Sequence, residues 1–242
     1  MKLLSQLYQI PSKSGQEEAI SRFVLECLKD VPLKIEKDSI GNIYLTKGDS
    51  PSYPCVAAHL DEIHHPVERK IVITEDVIRA VDTHNQPTGC GADDKNGVWV
   101  VIHLLQTVDQ IKAVLFVQEE KLDSQPGCRG ARACNMDFFA DVRYILECDR
   151  KGAHDIVNVG KNVPLCDKTF IPASIMQKYN YNMVDGGKTD VVELKMRGLQ
   201  IPVCNISCGY HNPHTDHEFT CYSELQNCLD MVQEIVRSVA AD

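Results

Sequence analysis

The stretch from Ala113 to Glu120, AVLFVQEE, runs an apolar, strand-like segment into two adjacent carboxylates. Neighbouring anions repel, and burying one without a partner costs on the order of several kcal/mol, so Glu119 and Glu120 call for a cation, a proton or open solvent. Other parts of the chain offer groups of matching chemistry. HLD sets His59 and Asp61 two apart, GADDKNG at 91–97 holds Asp93 and Asp94 between glycines, ECD ends in Asp149, and GYHNPHTDHE at 209–218 carries three histidines. Each has an ordinary reading alone: a hydrogen-bonded His–Asp pair, acids capping a helix N-terminus, solvated strand ends, surface histidines. Together they form a ligand set. Zinc, cobalt and manganese take imidazole and carboxylate ligands, and two such ions close together need a bridging carboxylate to offset their repulsion.

The elements that must position these groups follow from periodicity. Ser14 and Glu17 read as a capping box before Ile20, Phe23, Val24 and Cys27, which recur at helical spacing. Val98, Val101, Ile102 and Leu105 mark a second helix, and Leu225, Cys228, Leu229, Val232, Val236 and Val239 a long C-terminal one. Short strands are expected around Ile35 and Ile43 and within Lys70 to Val81. Between the helices come apolar runs, Cys55 to Ala58, Ala113 to Val117, Tyr144 to Leu146 and Ile201 to Ile206. Such runs suit strands of an α/β fold whose mainly parallel sheet is covered on both faces. His59, Glu119, Asp149 and His214 each follow one of the four runs, and the ligand crevice of an open α/β sheet lies beyond the carboxyl ends of its strands.

Composition narrows the partners. The chain has 242 residues, 25 basic and 34 acidic side chains and a formal net charge of −9, which argues against nucleic acid and anionic membranes. No signal-peptide h-region and no apolar run of membrane-spanning length is present. Eleven cysteines, scattered through apolar runs, read as reduced thiols of a cytoplasmic protein. Cys204 and Cys208 lack a second pair at zinc-knuckle spacing.

The ordered series AHLD, GADDKNG, QEE, ECD and GYHNPHTDHE resembles the co-catalytic dizinc exopeptidases, the clan of peptidase T, carboxypeptidase G and the glutamyl aminopeptidases. QEE followed by GCRGA is similar to their EE-G-x-x-GA segment, and DGGKTD to their GGTD stretch, interrupted here by Lys188. The resemblance implies a three-layer αβα sandwich with a mostly parallel mixed sheet, the phosphorylase/hydrolase-like zinc exopeptidase fold. It implies two divalent metal ions, zinc or else cobalt or manganese, with His59 and Asp149 on one, Glu120 and His214 on the other, and Asp93 bridging. Asp61 would orient His59, and Glu119 would act as general base on water activated by the metals. His214 is chosen over His211 and His217 because the family motif sets a glutamate four residues after the ligand, as Glu218 stands here. The resemblance further implies a cis Asp93–Asp94 peptide bond.

Lidded members of the clan insert a domain of about a hundred residues, an ordinary small-domain size, after the segment matching Asp149. Here only about 40 residues separate Asp149 from GGKTD, too few for such a domain, so 1–242 reads as one catalytic domain without a lid. The expected function is a metal-dependent exopeptidase of short peptides. A site rimmed by acids favours an α-ammonium, which points to an aminopeptidase that tolerates C-terminal amidation. Two alternatives stand beside it: an N-acyl amino acid or small-amide hydrolase with the same metal site, and a metal-binding protein without catalysis. Lys188, Arg129 and Arg132 are the residues that could instead capture a carboxylate; His64 and His65 read chiefly as surface or rim. Oligomeric state is not readable.

Overall fold

Both faces of the central strands are apolar, and the chain covers both with helices. The structure, a computed structural model, describes residues 1–121 and 125–238. In chain order the helices are α1 (Lys2–Tyr8), α2 (Glu18–Cys27), α3 (Ala92–Thr107), α4 (Arg129–Ala133), α5 (Ala173–Tyr179), α6 (Asp190–Met196) and α7 (Tyr222–Ser238), with a 3-10 turn at Met136–Phe139. The strands are β1 (Leu33–Lys37), β2 (Ile43–Lys47), β3 (Tyr53–His59), β4 (Lys70–Thr74), β5 (Val77–Val81), β6 (Pro87–Thr88), β7 (Ile111–Phe116), β8 (Val142–Arg150), β9 (Asp155–Gly160), β10 (Val163–Pro164), β11 (Asn182–Gly186), β12 (Val203–Ser207), β13 (Tyr210–His211) and β14 (Phe219–Cys221). Val239 lies outside the described residues.

Nine strands form the main sheet in the order β1-β2-β7-β3-β8-β12-β9-β10, with β11 on β9. Its centre, β7-β3-β8-β12, is parallel; the β1–β2, β2–β7, β12–β9 and β9–β10 pairings are antiparallel, and β11 pairs parallel with β9. Side chains alternate across each central strand. Val56 and Ala58 of β3, with Ala113 and Leu115 of β7, pack into the core shared with α1, α2, α3, α5 and α7. Cys55 and Ala57, with Val114 and Phe116, pack on the other face against α4, α6 and the 3-10 turn. The sandwich is therefore three-layered, as the apolar runs imply. Residues 155–186, where a lid would be inserted, instead supply β9, β10 and β11 to the same sheet.

A second, five-stranded sheet, β13-β14-β5-β4 with β6 on β5, carries two loops that matter below. One leads from β6 into α3, and the other, residues 212–218, joins β13 to β14. Lys70 to Val81 is two strands, because Glu75 takes a left-handed φ of 53° and turns the chain between β4 and β5.

The capping box at Ser14 does not form. The Ser14 N–H donates to Glu62 O and the Gln16 N–H to Lys13 O, so residues 13–16 are a turn tied to the segment after β3, and α2 begins only at Glu18. Glu17 Oε1 instead accepts the Gly15 N–H at 2.7 Å and the Gln118 N–H at 3.2 Å, bracing the chain just before Glu119. All eleven cysteines are free thiols. No helix among the described residues is long and apolar enough to cross a membrane.

Candidate metal centre

The strand carrying AVLFVQEE ends at Phe116, and Gln118 adopts a left-handed φ of 55°. That turn removes the alternation that would otherwise send Glu119 and Glu120 to opposite faces. Asp61 fixes the turned segment: its Oδ1 accepts the Glu119 N–H at 2.9 Å and its Oδ2 the Glu120 N–H at 3.0 Å. The same residue orients His59, chiefly through its backbone carbonyl, which lies 2.9 Å from His59 Nδ1, with the carboxylate at 3.4 Å. Asp61 thus contacts His59, and its clamp on the glutamate pair is a further contact that a single sequence position does not reveal.

GADDKNG divides its labour. Regular helical geometry begins only after Asp94, and the Asp93–Asp94 peptide bond is cis. Asp94 does what a capping acid does: its Oδ1 accepts the Gly97 N–H at 3.0 Å, while Oδ2 accepts the His59 N–H at 3.1 Å. Asp93 turns the other way, into the site. Both glycines are required, since a Cβ at Gly91 (φ 68°) would lie 2.0 Å from Glu62 Oε2, and one at Gly97 2.5 Å from the Cys148 carbonyl. Glu218 holds the loop from the far side, its carboxylate accepting N–H groups of Gly91 at 2.6 Å, Ala92 at 3.1 Å and Asp93 at 3.3 Å. His64 Nε2 sits 3.2 Å from that carboxylate, its side chain largely buried, so it backs the loop as well as standing near the surface; His65 is exposed.

The candidate ligands converge. His59 Nε2 lies 3.2 Å from Asp93 Oδ1 and 3.4 Å from Asp149 Oδ1. His214 Nε2 lies 3.3 Å from Asp93 Oδ2 and 2.8 Å from Glu120 Oε1. Asp93 thus offers one carboxylate oxygen to each of two N,O,O sets. A ring nitrogen of His59 and carboxylate oxygens of Glu119 and Glu120 also lie within 4.8 Å of one another. Such sets match the imidazole and carboxylate preferences of zinc, cobalt and manganese. The other two histidines of the loop are elsewhere: His211 pairs with Glu224 at 2.6 Å and stacks on Phe219, and His217 is exposed.

Carboxyls outnumber imidazoles in the site, and burial and mutual repulsion shift their titration. Burial and repulsion from Asp93 push the Asp149 carboxyl well above its usual range, against the pull of His59. Burial likewise raises Glu120, and it pushes Glu119, with Asp149 and Glu120 adding to it, up to about 8. Burial opposes charge on His59, yet Asp149, Asp61 and Asp93 outweigh it and hold the imidazole well above its ordinary value. Hydrogen bonds to Asp93 and Glu120 raise His214 to about 11. Behind Glu119 two more carboxyls are buried. Glu147 is pushed up to about 8, and Asp190, with no hydrogen bond to either oxygen among the described residues, is raised by burial and by Glu119 and Glu147. Cys128, from the GCRGA segment, donates its thiol to Glu119 Oε1 at 3.2 Å. Asp93, Glu119, Glu120, Asp149 and His214 open onto a cavity of about 360 Å³ that Thr189 also lines, whereas Asp190 is wholly buried and cannot touch a ligand there.

No protein-family model and no curated protein sequence matches the chain. Solved structures do. The aminopeptidase PepT from Bacillus cereus superposes with a TM-score of 0.82 at 16% identity, covering 99% of this chain and 98% of that one. A tripeptidase from Staphylococcus aureus gives 0.79 at 15% identity over 98% and 96%. The fold is that of these peptidases. The TET1 peptidase of Pyrococcus horikoshii, which assembles into a tetrahedron or a large octahedral shell, gives 0.69 at 17% identity over 97% and 98%.

The cations singled out in the sequence are mostly engaged. Lys188 pairs with Glu193 at 2.6 Å and Arg132 with the same carboxylate at 3.3 Å, while Arg129 donates to Gln118 Oε1. Arg150 and Lys151 also line the cavity, and their adjacency to Asp149 at the strand end following ECD is the sequence signal that marks them.

Proposed function

We propose that this protein is a metal-dependent aminopeptidase of short peptides, with His59 and Asp149 holding one divalent cation, Glu120 and His214 a second, and Asp93 bridging. The observation that carries the reading is the pair of N,O,O donor sets sharing the two oxygens of Asp93. Fold neighbours named as an aminopeptidase and a tripeptidase support a peptide substrate. Bound cations, zinc or else cobalt or manganese, would supply the Lewis acidity that polarises a peptide carbonyl and acidifies water.

The chain's own residues supply the rest. Glu119 belongs to neither donor set and takes the proton from the attacking water, then returns it to the leaving amine nitrogen. Burial raises its basicity, and nearby dications would draw its pKa back toward neutrality, which suits a base working near pH 7. Asp61 sets the direction of both partners at once, through His59 and through the amides of Glu119 and Glu120. Glu218 and His64 fix the loop on which Asp93 stands. The acid-rich wall around Glu119 and Glu120 favours a substrate α-ammonium. We take residues 1–242 as one catalytic domain without a lid, and the cytoplasm as its compartment, where eleven free thiols persist.

The test is hydrolysis of trialanine by protein stripped with chelator and reloaded with zinc, cobalt or manganese. Activity should return with about two metal equivalents and be abolished by N-acetylation of the peptide. Cleavage of N-acetylalanine in preference to trialanine would replace this reading with the N-acyl amino acid hydrolase, and stoichiometric metal binding without turnover of either would leave a metal-binding protein.

A further inference from the structure

The cavity that receives the candidate metal ligands also carries Arg150, Lys151 and Lys188. Two of the three are committed within the chain. Arg150 donates Nε and Nη2 to Asp155 Oδ2 at 2.9 and 2.8 Å, and Lys188 is held by Glu193. Lys151 has no carboxylate within 4.0 Å among the described residues.

Its position is built. The carbonyls of the turn after β8 are all taken: Arg150 O by the Cys208 N–H at 2.9 Å, Lys151 O by Ser207 Oγ at 2.9 Å, and Gly152 O by the Gly209 N–H at 2.8 Å. The Gly152 N–H donates in turn to Tyr210 O at 2.8 Å. Lys151 therefore stands on main chain braced along residues 207–210, two positions after Asp149. Asp149, Arg150 and Lys151 all line the cavity as the strand ends, and the Cα atoms of 149 and 151 are at most about 7.6 Å apart. Lys151 is exposed, and its carbonyl is held by Ser207.

We propose that Lys151 captures the C-terminal carboxylate of the substrate, so that this site reads both ends of a short peptide and prefers tripeptides and dipeptides with a free C-terminus. The proposal rests on the aminopeptidase reading for which end is cleaved, and it revises the expectation that amidation is tolerated. An extended tripeptide is at most about 11 Å long, which a cavity near the small end of ligand pockets accommodates. The α-ammonium would lie toward the acids and the carboxylate toward Lys151, with Arg150 and Lys188 adding positive potential without an open valence of their own.

The experiment compares trialanine with trialanine amide on the metal-loaded enzyme and on Lys151→Met and Lys151→Arg. Wild type should show a KM for the amide about 3–10-fold above that for the acid, in the range between an exposed ion pair and a charge-assisted hydrogen bond, with kcat changed less than about twofold. Lys151→Met should raise the KM of the acid to that of the amide, and Lys151→Arg should keep most of the preference, which should shrink with added salt. Equal KM values for acid and amide in wild type, or an acid preference that survives in Lys151→Met, overturn the proposal. Calorimetric titration with the tripeptide isostere whose first peptide bond is reduced to CH2–NH, as acid and as amide, separates the two readings. If neither trialanine form is hydrolysed, the aminopeptidase reading fails. The Lys151 proposal then stands if the acid isostere binds tighter and Lys151→Met erases the difference, and falls if the two bind equally or not at all.

Discussion

Two clusters of charge meet at the segment from Gly91 to Lys95, and they are composed differently. On one side Glu62, wholly buried, is flanked by Arg69 Nη1 at 2.9 Å and Lys95 Nζ at 3.1 Å, both cations buried as well. Burial alone would raise Glu62; Lys95 and Arg69 overcome that and hold its carboxyl below the usual range. On the other side Asp93, Glu119, Glu120 and Asp149 share only two imidazoles, and three of the four carboxyls are raised. The first cluster is closed by the chain's own cations. The second is left short of positive charge although the fold has gone to some length to hold it, through Asp61, Asp94 and Glu218. One buried acid is matched by two cations, whereas four converging acids face two imidazoles, and the proposed function assigns the second cluster to metal.

The contrast can be broken most sharply inside the second cluster. Glu120→Ala should release metal and turnover together, whereas Glu119→Gln should keep metal content near wild type and lower turnover by roughly 10²–10⁴-fold, the usual cost of losing a general base. Elemental analysis alongside trialanine kinetics reads both, and equal metal loss in the two variants would show that the glutamates do not divide the work. In the first cluster the expected signature is reversed. Glu62→Gln leaves Lys95 and Arg69 buried without a counter-charge and should lower stability by about 3–5 kcal/mol in denaturant titration, while the protein that remains folded keeps its metal. A smaller effect separates the clusters by pH. In chelator-treated protein Glu119 and Glu147, each near 8 when folded, bind more protons folded than unfolded, so their contribution is most favourable at and below the ordinary carboxylate range and is lost as pH rises toward 8. The slope is at most about 1.4 kcal/mol per pH unit for each group. Glu62, whose carboxyl is lowered, works in the opposite sense: its stabilisation is present above the ordinary range and fades as pH falls. Thermal melts between pH 5 and 8 with and without divalent metal should therefore converge toward acid pH and diverge toward pH 8, and parallel curves would remove the charge deficit from the argument.

Much of this was legible in the linear chain because it is local. Apolar runs with both alternating faces buried gave β3, β7, β8 and β12, and the residues that follow those runs, His59 and Asp149 still within their strands and Glu119 with Glu120 beyond theirs, are the ones the fold brings together with Asp93 and His214. Order and spacing carry that information, since a parallel sheet collects its strand ends on one edge whatever the intervening helices contain. What only the tertiary structure decided depends on contacts between distant segments. Nothing near Glu17 in sequence says that its carboxylate braces Gln118 rather than closing a capping box, and nothing near His64 says that it backs Glu218. The second task of Asp61, the two oxygens of Asp93 facing different imidazoles, and a lining lysine, Lys151, without a carboxylate partner among the described residues are matters of direction. A side chain's type is local, but the direction in which its charge finds or lacks a partner is set by main chain arriving from 34 to 154 residues away.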